Sequence, residues 1–364
     1  MLSSTSPCFD LEPNFKKSLG NILYCNKHKD YFLDFFSSFS SLPFGYNPVF
    51  LNESAFYSEC QELLSTRSPL CAFHSPLKSR YLLTLDNIAN TDNLYANVLF
   101  AETGSLAVEL ALKVFTINSS TTIKIYTIEN SFHGIYGLGG GSTIGSNFAI
   151  DRLKKIEELI PNFNCVYKTI STSEDLKNIN NMDNSVLLLE PIQCTRGDFL
   201  LTPNLIPLIK QKQNEGLTLI VDEIQSGYLS TGSFWASQKY DLKPDIIVFG
   251  KKFQVNGCLL QSKYSHLLEP GKPKYFSSTF DASQIDMLRG IHFNSHLLGN
   301  LSHYKNRVQL IESSIKNQLT KLVPPHKLRV TGLFLAIDFD SKDHRDNVVK
   351  ELFKNRILSN PTGS

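Results

Sequence analysis

The 364-residue chain contains no run of about 18 apolar residues, the length a membrane-spanning helix needs. Its greasiest stretches, 186–189 and 217–221, are strand-sized and lead into the acids Glu190 and Asp222. An excess of basic charge is also missing. Lys plus Arg total 36 against 34 Asp plus Glu, a formal net charge of +2, so neither nucleic acid nor an anionic membrane is an expected partner. The seven cysteines (Cys8, Cys25, Cys60, Cys71, Cys165, Cys194 and Cys258) are scattered, odd in number and never spaced CxxC. That excludes a zinc knuckle and a disulfide framework, and no metal site is expected. Reduced thiols in a cytoplasmic protein are the plain reading. Residues 1–11 lack a basic flank followed by an apolar core, so they do not read as a secretory signal. There is no internal repeat and no low-complexity block.

What is present is a foldable composition, 41% hydrophobic and 19% charged, long enough for a large core and about two domains. The middle alternates strand and helix patterns. Residues 93–100, 123–129, 185–192, 217–224 and 245–250 read as strands, and 105–115 and 203–213 as helices. Residues 257–263 read as a short antiparallel addition. This rhythm predicts an α/β fold with a mostly parallel central sheet, whose ligands bind beyond the carboxyl ends of the strands. Both ends differ in character. A helical stretch from about 290 to 319, a strand at 329–339 and a helix at 343–355 are expected. The predicted organisation is a large domain at 61–290 and a small α+β domain built from 1–60 and 291–364.

Asp222 ends an apolar strand, where a carboxylate must be solvated, paired or bound. Glu223 follows it, points the other way and is expected to face solvent. Lys251 and Lys252 follow the next strand. A partly desolvated lysine becomes an amine nucleophile toward carbonyls. Thirty residues separate Asp222 from Lys252, enough for one crossover, so both would reach the same sheet edge. An acid for a pyridinium nitrogen plus an amine for an aldehyde is the pair pyridoxal phosphate needs. Gly104-Ser105 opens a helix and offers a phosphate seat. Phe132 offers a flat ring for stacking, with His133 beside it. The run Gly137-Leu138-Gly139-Gly140-Gly141-Ser142 lacks phosphate-loop spacing and reads as a flexible loop over a site.

Six segments in order then carry a resemblance. They are FAETGSLAVE from Phe100 to Glu109, Ser131-Phe132-His133-Gly134, Glu190-Pro191-Ile192-Gln193, Asp222-Glu223-Ile224-Gln225-Ser226-Gly227, the segment from Pro244 to Lys252, and Ser278-Thr279. Together they resemble class III pyridoxal-phosphate aminotransferases of fold type I, from about Tyr31 to nearly the end. Around Phe249-Gly250-Lys251-Lys252-Phe253-Gln254-Val255-Asn256-Gly257 the likeness is to L-lysine 6-aminotransferases, with 4-aminobutyrate aminotransferases similar there. The resemblance implies that Lys252 holds the cofactor covalently and that Asp222 pairs with its ring nitrogen. It implies Ile224 and Phe132 on the two ring faces and Gln225 on the ring hydroxyl. Gly104 and Ser105 would hold the phosphate, Thr279 would reach it from a partner subunit of a homodimer, and His133 and Glu190 would support the ring.

The departures concern substrate. The family usually has Arg where this chain has Ile135, and Gly-Glu-Gly-Gly where it has Cys194-Thr195-Arg196-Gly197. Thr195 thus stands in place of a glutamate that switches against a C-terminal arginine, expected beyond Ser364. Phe280-Asp281-Ala282 follows Thr279 in place of Gly-Gly. Arg196 is a candidate replacement cation. The implied activity is transfer of a terminal amino group, most like L-lysine to 2-oxoglutarate giving the 6-semialdehyde and glutamate, in lysine catabolism. Weak turnover with 2-oxoglutarate is expected. The alternatives are a weakened or inactive cofactor-binding homologue, or another class III reaction: a 4-aminobutyrate or ornithine donor, decarboxylation, or an aminomutase.

Overall fold

The structure is a computed structural model that describes residues 9–52, 54–69, 73–117, 119, 121–143, 165–269 and 275–362. Cys8, Cys71, Gly363 and Ser364 lie outside the described residues. Two compact units result, one of residues 1–58 with 339–361 and one of 59–338 with 362–364. The smaller unit pairs β1 (Ile22–Cys25) with β2 (Asp30–Asp34) antiparallel, and Ile357–Leu358 with β2 parallel. Leu23, Cys25, Phe32, Tyr46 and Leu358 form its core. The helix Lys342–Lys354 precedes the last strand.

The larger unit is built on seven strands: β3 (Tyr95–Ala101), β4 (Ile123–Ile128), β5 (Cys165–Ile170), β6 (Ser185–Leu189), β9 (Thr218–Asp222), β10 (Ile246–Phe249) and β11 (Asn256–Gln261). Between them in sequence falls the hairpin of β7 (Ile192–Gln193) and β8 (Phe199–Leu200). The sheet order is β3-β11-β10-β9-β6-β4-β5. Only β11 runs against its neighbours; the rest are parallel. Every residue of β6 and β10 is buried, as expected for strands covered on both faces.

Period-two alternation splits the apolar residues between two cores. Val186, Leu188, Ile220 and Val248 face the helix Gly104–Thr116, which buries Ala107, Val108, Ala111 and Leu112 at three-and-four spacing. Leu187, Leu189, Leu219 and Val221 face the helix Leu205–Asn214 through Leu205 and Ile209.

Two expected elements divide. The C-terminal helical stretch is two helices, Gln284–Gly299 and Leu301–Leu319, interrupted at Asn300. The strand expected at 329–339 is a hairpin of β12 (Leu328–Thr331) and β13 (Phe334–Ile337). Its turn places Gly332 at φ 58, a left-handed conformation that suits glycine. With these, Ile357–Leu358 is β14. No helix among the described residues is long and apolar enough to cross a membrane.

Leu188 is fully buried at the centre of the sheet. Leu188→Ala should lower unfolding stability by about 2–5 kcal/mol. Denaturant unfolding measures this, and a loss below about 1 kcal/mol would show that the site relaxes to fill the gap.

Candidate active site

Because six strands share a direction, the turns after β3, β4, β6, β9 and β10 open on one edge. Three contacts draw them together. Gly134 sits at φ 100, and a Cβ there would lie 2.7 Å from Ser105 Oγ, so the turn after β4 meets the helix start after β3. A Cβ on Gly104 would lie 3.1 Å from Ile224 Cδ1, which joins that helix start to the turn after β9. Gly250 packs on Asn256 and on Ile224, bringing in the turn after β10.

Asp222 is buried at 6% exposure. Its Oδ1 accepts from Ile224 N at 3.2 Å, and its Oδ2 accepts from His133 Nδ1 at 3.0 Å. That fixes the imidazole's hydrogen on Nδ1 and leaves His133 Nε2 buried with no partner among the described residues. Glu190 accepts from Phe132 N at 2.8 Å. Burial, and then the nearby charge of Asp222, push the Glu190 carboxyl well above the usual range. Desolvation and a neighbouring negative charge both disfavour the charged form of a carboxyl.

Lys252 is buried, and its Nζ donates to the Gln225 carbonyl at 2.5 Å. Burial lowers its pKa to about 7, helped by the charge of Lys251. Lys251 is also lowered by burial and donates to Gln225 Oε1. An ammonium only donates, so it holds the amide oxygen and leaves the Gln225 NH₂ available to an acceptor.

Phe132, Gly104, Ser105, Ile224 and Gln225 are half-buried around this edge. Thr279 stands apart: it is exposed, and no hydrogen bond joins it to the others among the described residues.

Two expectations are overturned. Glu223 does not face solvent. It is fully buried and accepts from Ser226 Oγ at 2.6 Å, Ala236 N at 3.0 Å and Ser237 N at 2.7 Å. Donors presented by a later turn replace water around this carboxylate, which the strand pattern alone cannot reveal. The glycine run is not a loose loop either. Gly137–Gly141 forms a helical turn whose Leu138 and Gly139 N–H groups donate to the Glu109 carboxylate, at 3.1 and 2.5 Å.

Sequence reasoning passed over Thr143, whose Oγ1 accepts from His133 N and donates to Gly134 O, both at 2.9 Å. It also passed over Cys194 and Phe334, which pack together beside Ile192. Lys252 Nζ lies 5.9 Å from the Phe334 ring. None of the three carries a motif. Among the described residues, no group of three or more His, Cys, Asp or Glu side chains could hold a metal ion.

The donor set suits an anionic, aldehyde-bearing pyridine. It supplies an amine that is partly neutral near pH 7, a carboxylate with lone pairs to spare, an amide NH₂ and an open helix start. The helix start is capped by Thr103, whose side chain accepts from Leu106 N, so the earlier N–H groups remain for a phosphate.

Comparison with known proteins agrees. The family model described as aminotransferase class-III matches residues 10–364. The [LysW]-aminoadipate semialdehyde/glutamate semialdehyde transaminase of Sulfolobus acidocaldarius is 31% identical, over 92% of this chain and 83% of its own. The L-lysine-epsilon aminotransferase of Amycolatopsis lactamdurans is 24% identical, over 98% of this chain and 86% of its own. The solved lysine aminotransferase from M. tuberculosis superposes with a TM-score of 0.86 at 22% identity, covering 99% of this chain and 90% of that one. The fold is therefore that of fold type I transferases, and the chain belongs to the class III aminotransferases, enzymes that work with pyridoxal 5′-phosphate.

Proposed function

We propose that the chain moves a terminal amino group from an L-lysine-like donor to a 2-oxo acid, most like L-lysine to 2-oxoglutarate. The observation that carries this is the buried Lys252 amine in the turn after β10, the strand paired with the one that Asp222 ends, in a chain whose relatives are named for side-chain amino transfer. We further propose a homodimeric, cytoplasmic enzyme, with Thr279 reaching the partner's site and a small domain assembled from both termini.

When bound, the cofactor supplies an electron sink for the carbon that bears the amino group. Lys252 would hold its aldehyde and, once released, carry a proton at Nζ between neighbouring carbons. A pKa near 7 suits that task, because both protonation states are then accessible at working pH. Asp222 would keep the ring nitrogen protonated through a charge-assisted hydrogen bond. His133 would steady Asp222, and Thr143 holds the backbone on both sides of His133. Glu190 would support the turn that carries Phe132. Ile224 and Phe132 would exclude water from the two ring faces, and Gln225 would donate to the ring hydroxyl. Gly104 and Ser105 would take the phosphate.

A weakened homologue is the second reading. Ile135, 48% exposed, offers no charge to a substrate carboxylate.

Borohydride treatment of the holoprotein should fix the cofactor on the peptide bearing Lys252. Label on Lys251, or none at all, would refute the assignment. Capture of the cofactor by apoprotein should speed up as pH rises through about 7, because only the unprotonated amine attacks an aldehyde. Lys251→Met should shift that midpoint upward, since it removes a neighbouring positive charge. An unmoved midpoint would mean that burial acts alone. Asp222→Asn should keep the fold and some cofactor but slow the half-reaction with amine by about 10²–10³-fold, the scale of losing one preorganised electrostatic partner. Stopped-flow absorbance decides it, and full activity would point to another acid.

A further inference from the structure

We infer that Arg196 is the carboxylate anchor of this site, receiving the carboxylate at the far end of the substrate from the transferred amino group. The inference rests on the terminal-amino reading above and names the residue that recognises the other end of the molecule.

Arg196 sits in the turn of the β7–β8 hairpin, which begins two residues beyond Glu190 and so emerges at the same sheet edge. Two links tie the hairpin to the reacting region. Gln193 Nε2 donates to Glu129 O at 2.7 Å and Ser131 Oγ at 3.2 Å, the residues just before Phe132. Cys194 packs with Phe334, whose ring lies 5.9 Å from Lys252 Nζ. The turn is therefore tied to the segment before Phe132 and, through Phe334, to the surroundings of Lys252.

The guanidinium is held but not neutralised. Gln193 spends its NH₂ on Glu129 and Ser131, which leaves Oε1 to accept from Arg196 Nη1 at 3.3 Å. The guanidinium also lies 4.4 Å from the Phe199 ring centre. A second arginine shares that ring: Arg329, at 3.8 Å. Arg329 is already committed, to both oxygens of Asp338 at 2.6 Å and to Gly197 O at 2.7 Å. Arg196 is exposed and has no carboxylate partner among the described residues.

Stacking and one hydrogen bond fix its plane, so its remaining N–H groups form a ready fork for a carboxylate. Among the described residues, Arg67 is paired with Glu102, Lys252 is reserved for the cofactor, and Lys251 is a half-buried point charge held against the Gln225 amide, without a fork to offer. Ordinary substrates of an aminotransferase carry carboxylates, and desolvating one without a partner is costly.

The test uses the holoenzyme and three forms: wild type, Arg196→Gln and Arg196→Lys. Glutarate, an unreactive dicarboxylate, is titrated by calorimetry. The amination half-reaction is followed with L-lysine and with 1,5-diaminopentane, which lacks a carboxylate. Arg196→Gln should weaken glutarate at least tenfold and cut the preference for lysine over the diamine at least tenfold. Arg196→Lys, which keeps the charge but loses the fork, should fall between. Glutarate binding within twofold of wild type, or equal losses toward lysine and the diamine, would overturn the proposal. If wild type reacts with neither amine, the terminal-amino reading fails, and the glutarate titration alone decides Arg196.

Discussion

A sheet buried on both faces has no room for charge along its strands, so charge collects where the strands end. In β6, β9 and β10 nearly every side chain is packed between two helical layers. The acids and lysines that follow sit at the first positions where a polar group can find a partner. Because the strands are parallel, those positions share one edge. Small residues then allow the turns to close on each other. A side chain at Gly134, Gly104 or Gly250 would push Ser105, Ile224 or Asn256 away and open the cluster.

Once gathered there, the charges set one another's state. Glu190 and Asp222 compete for one desolvated space, and burial drives Glu190 toward its neutral form. Lys251 and Lys252 compete in the same way, and burial lowers both. The cluster thus combines an acid pushed toward its neutral form with an amine whose pKa is lowered to about 7. In water each group would carry its full charge at pH 7 and neither would serve. The dry edge lowers the pKa of Lys252, and that edge follows from the apolar strands beneath it.

Much of this was legible in the chain itself. Apolar runs ending in Asp222 and before Lys251-Lys252 marked two neighbouring parallel strands, and β9 does pair with β10 with Asp222 opposite Val248. The burial of Glu223 was hidden because its backbone donors, Ala236 and Ser237, open a 3₁₀ helix 13 and 14 residues further along the chain, beyond the reach of the strand pattern. The glycine run was misread for a similar reason. Glycine composition argues for flexibility, but a carboxylate from another helix, Glu109, accepts the two N–H groups that open the turn. Local pattern records what a residue prefers, and long-range hydrogen bonds decide what it gets.

The pair Asp222-Glu223 shows the limit most clearly. Two identical functional groups, adjacent in sequence, leave the strand on opposite sides. Glu223 meets three donors of the same chain, which satisfy it and lock the turn. Among the described residues, Asp222 meets an imidazole and one backbone N–H, so its oxygens keep acceptor capacity. The arginines on Phe199 repeat the contrast: Arg329 is paired with Asp338, whereas Arg196, held by the Gln193 amide, has no carboxylate partner among the described residues. In both pairs the satisfied member builds the frame. The other member can still bind something else: buried Asp222 keeps acceptor capacity that is costly to leave unfilled, and exposed Arg196 keeps a charge that a carboxylate can meet.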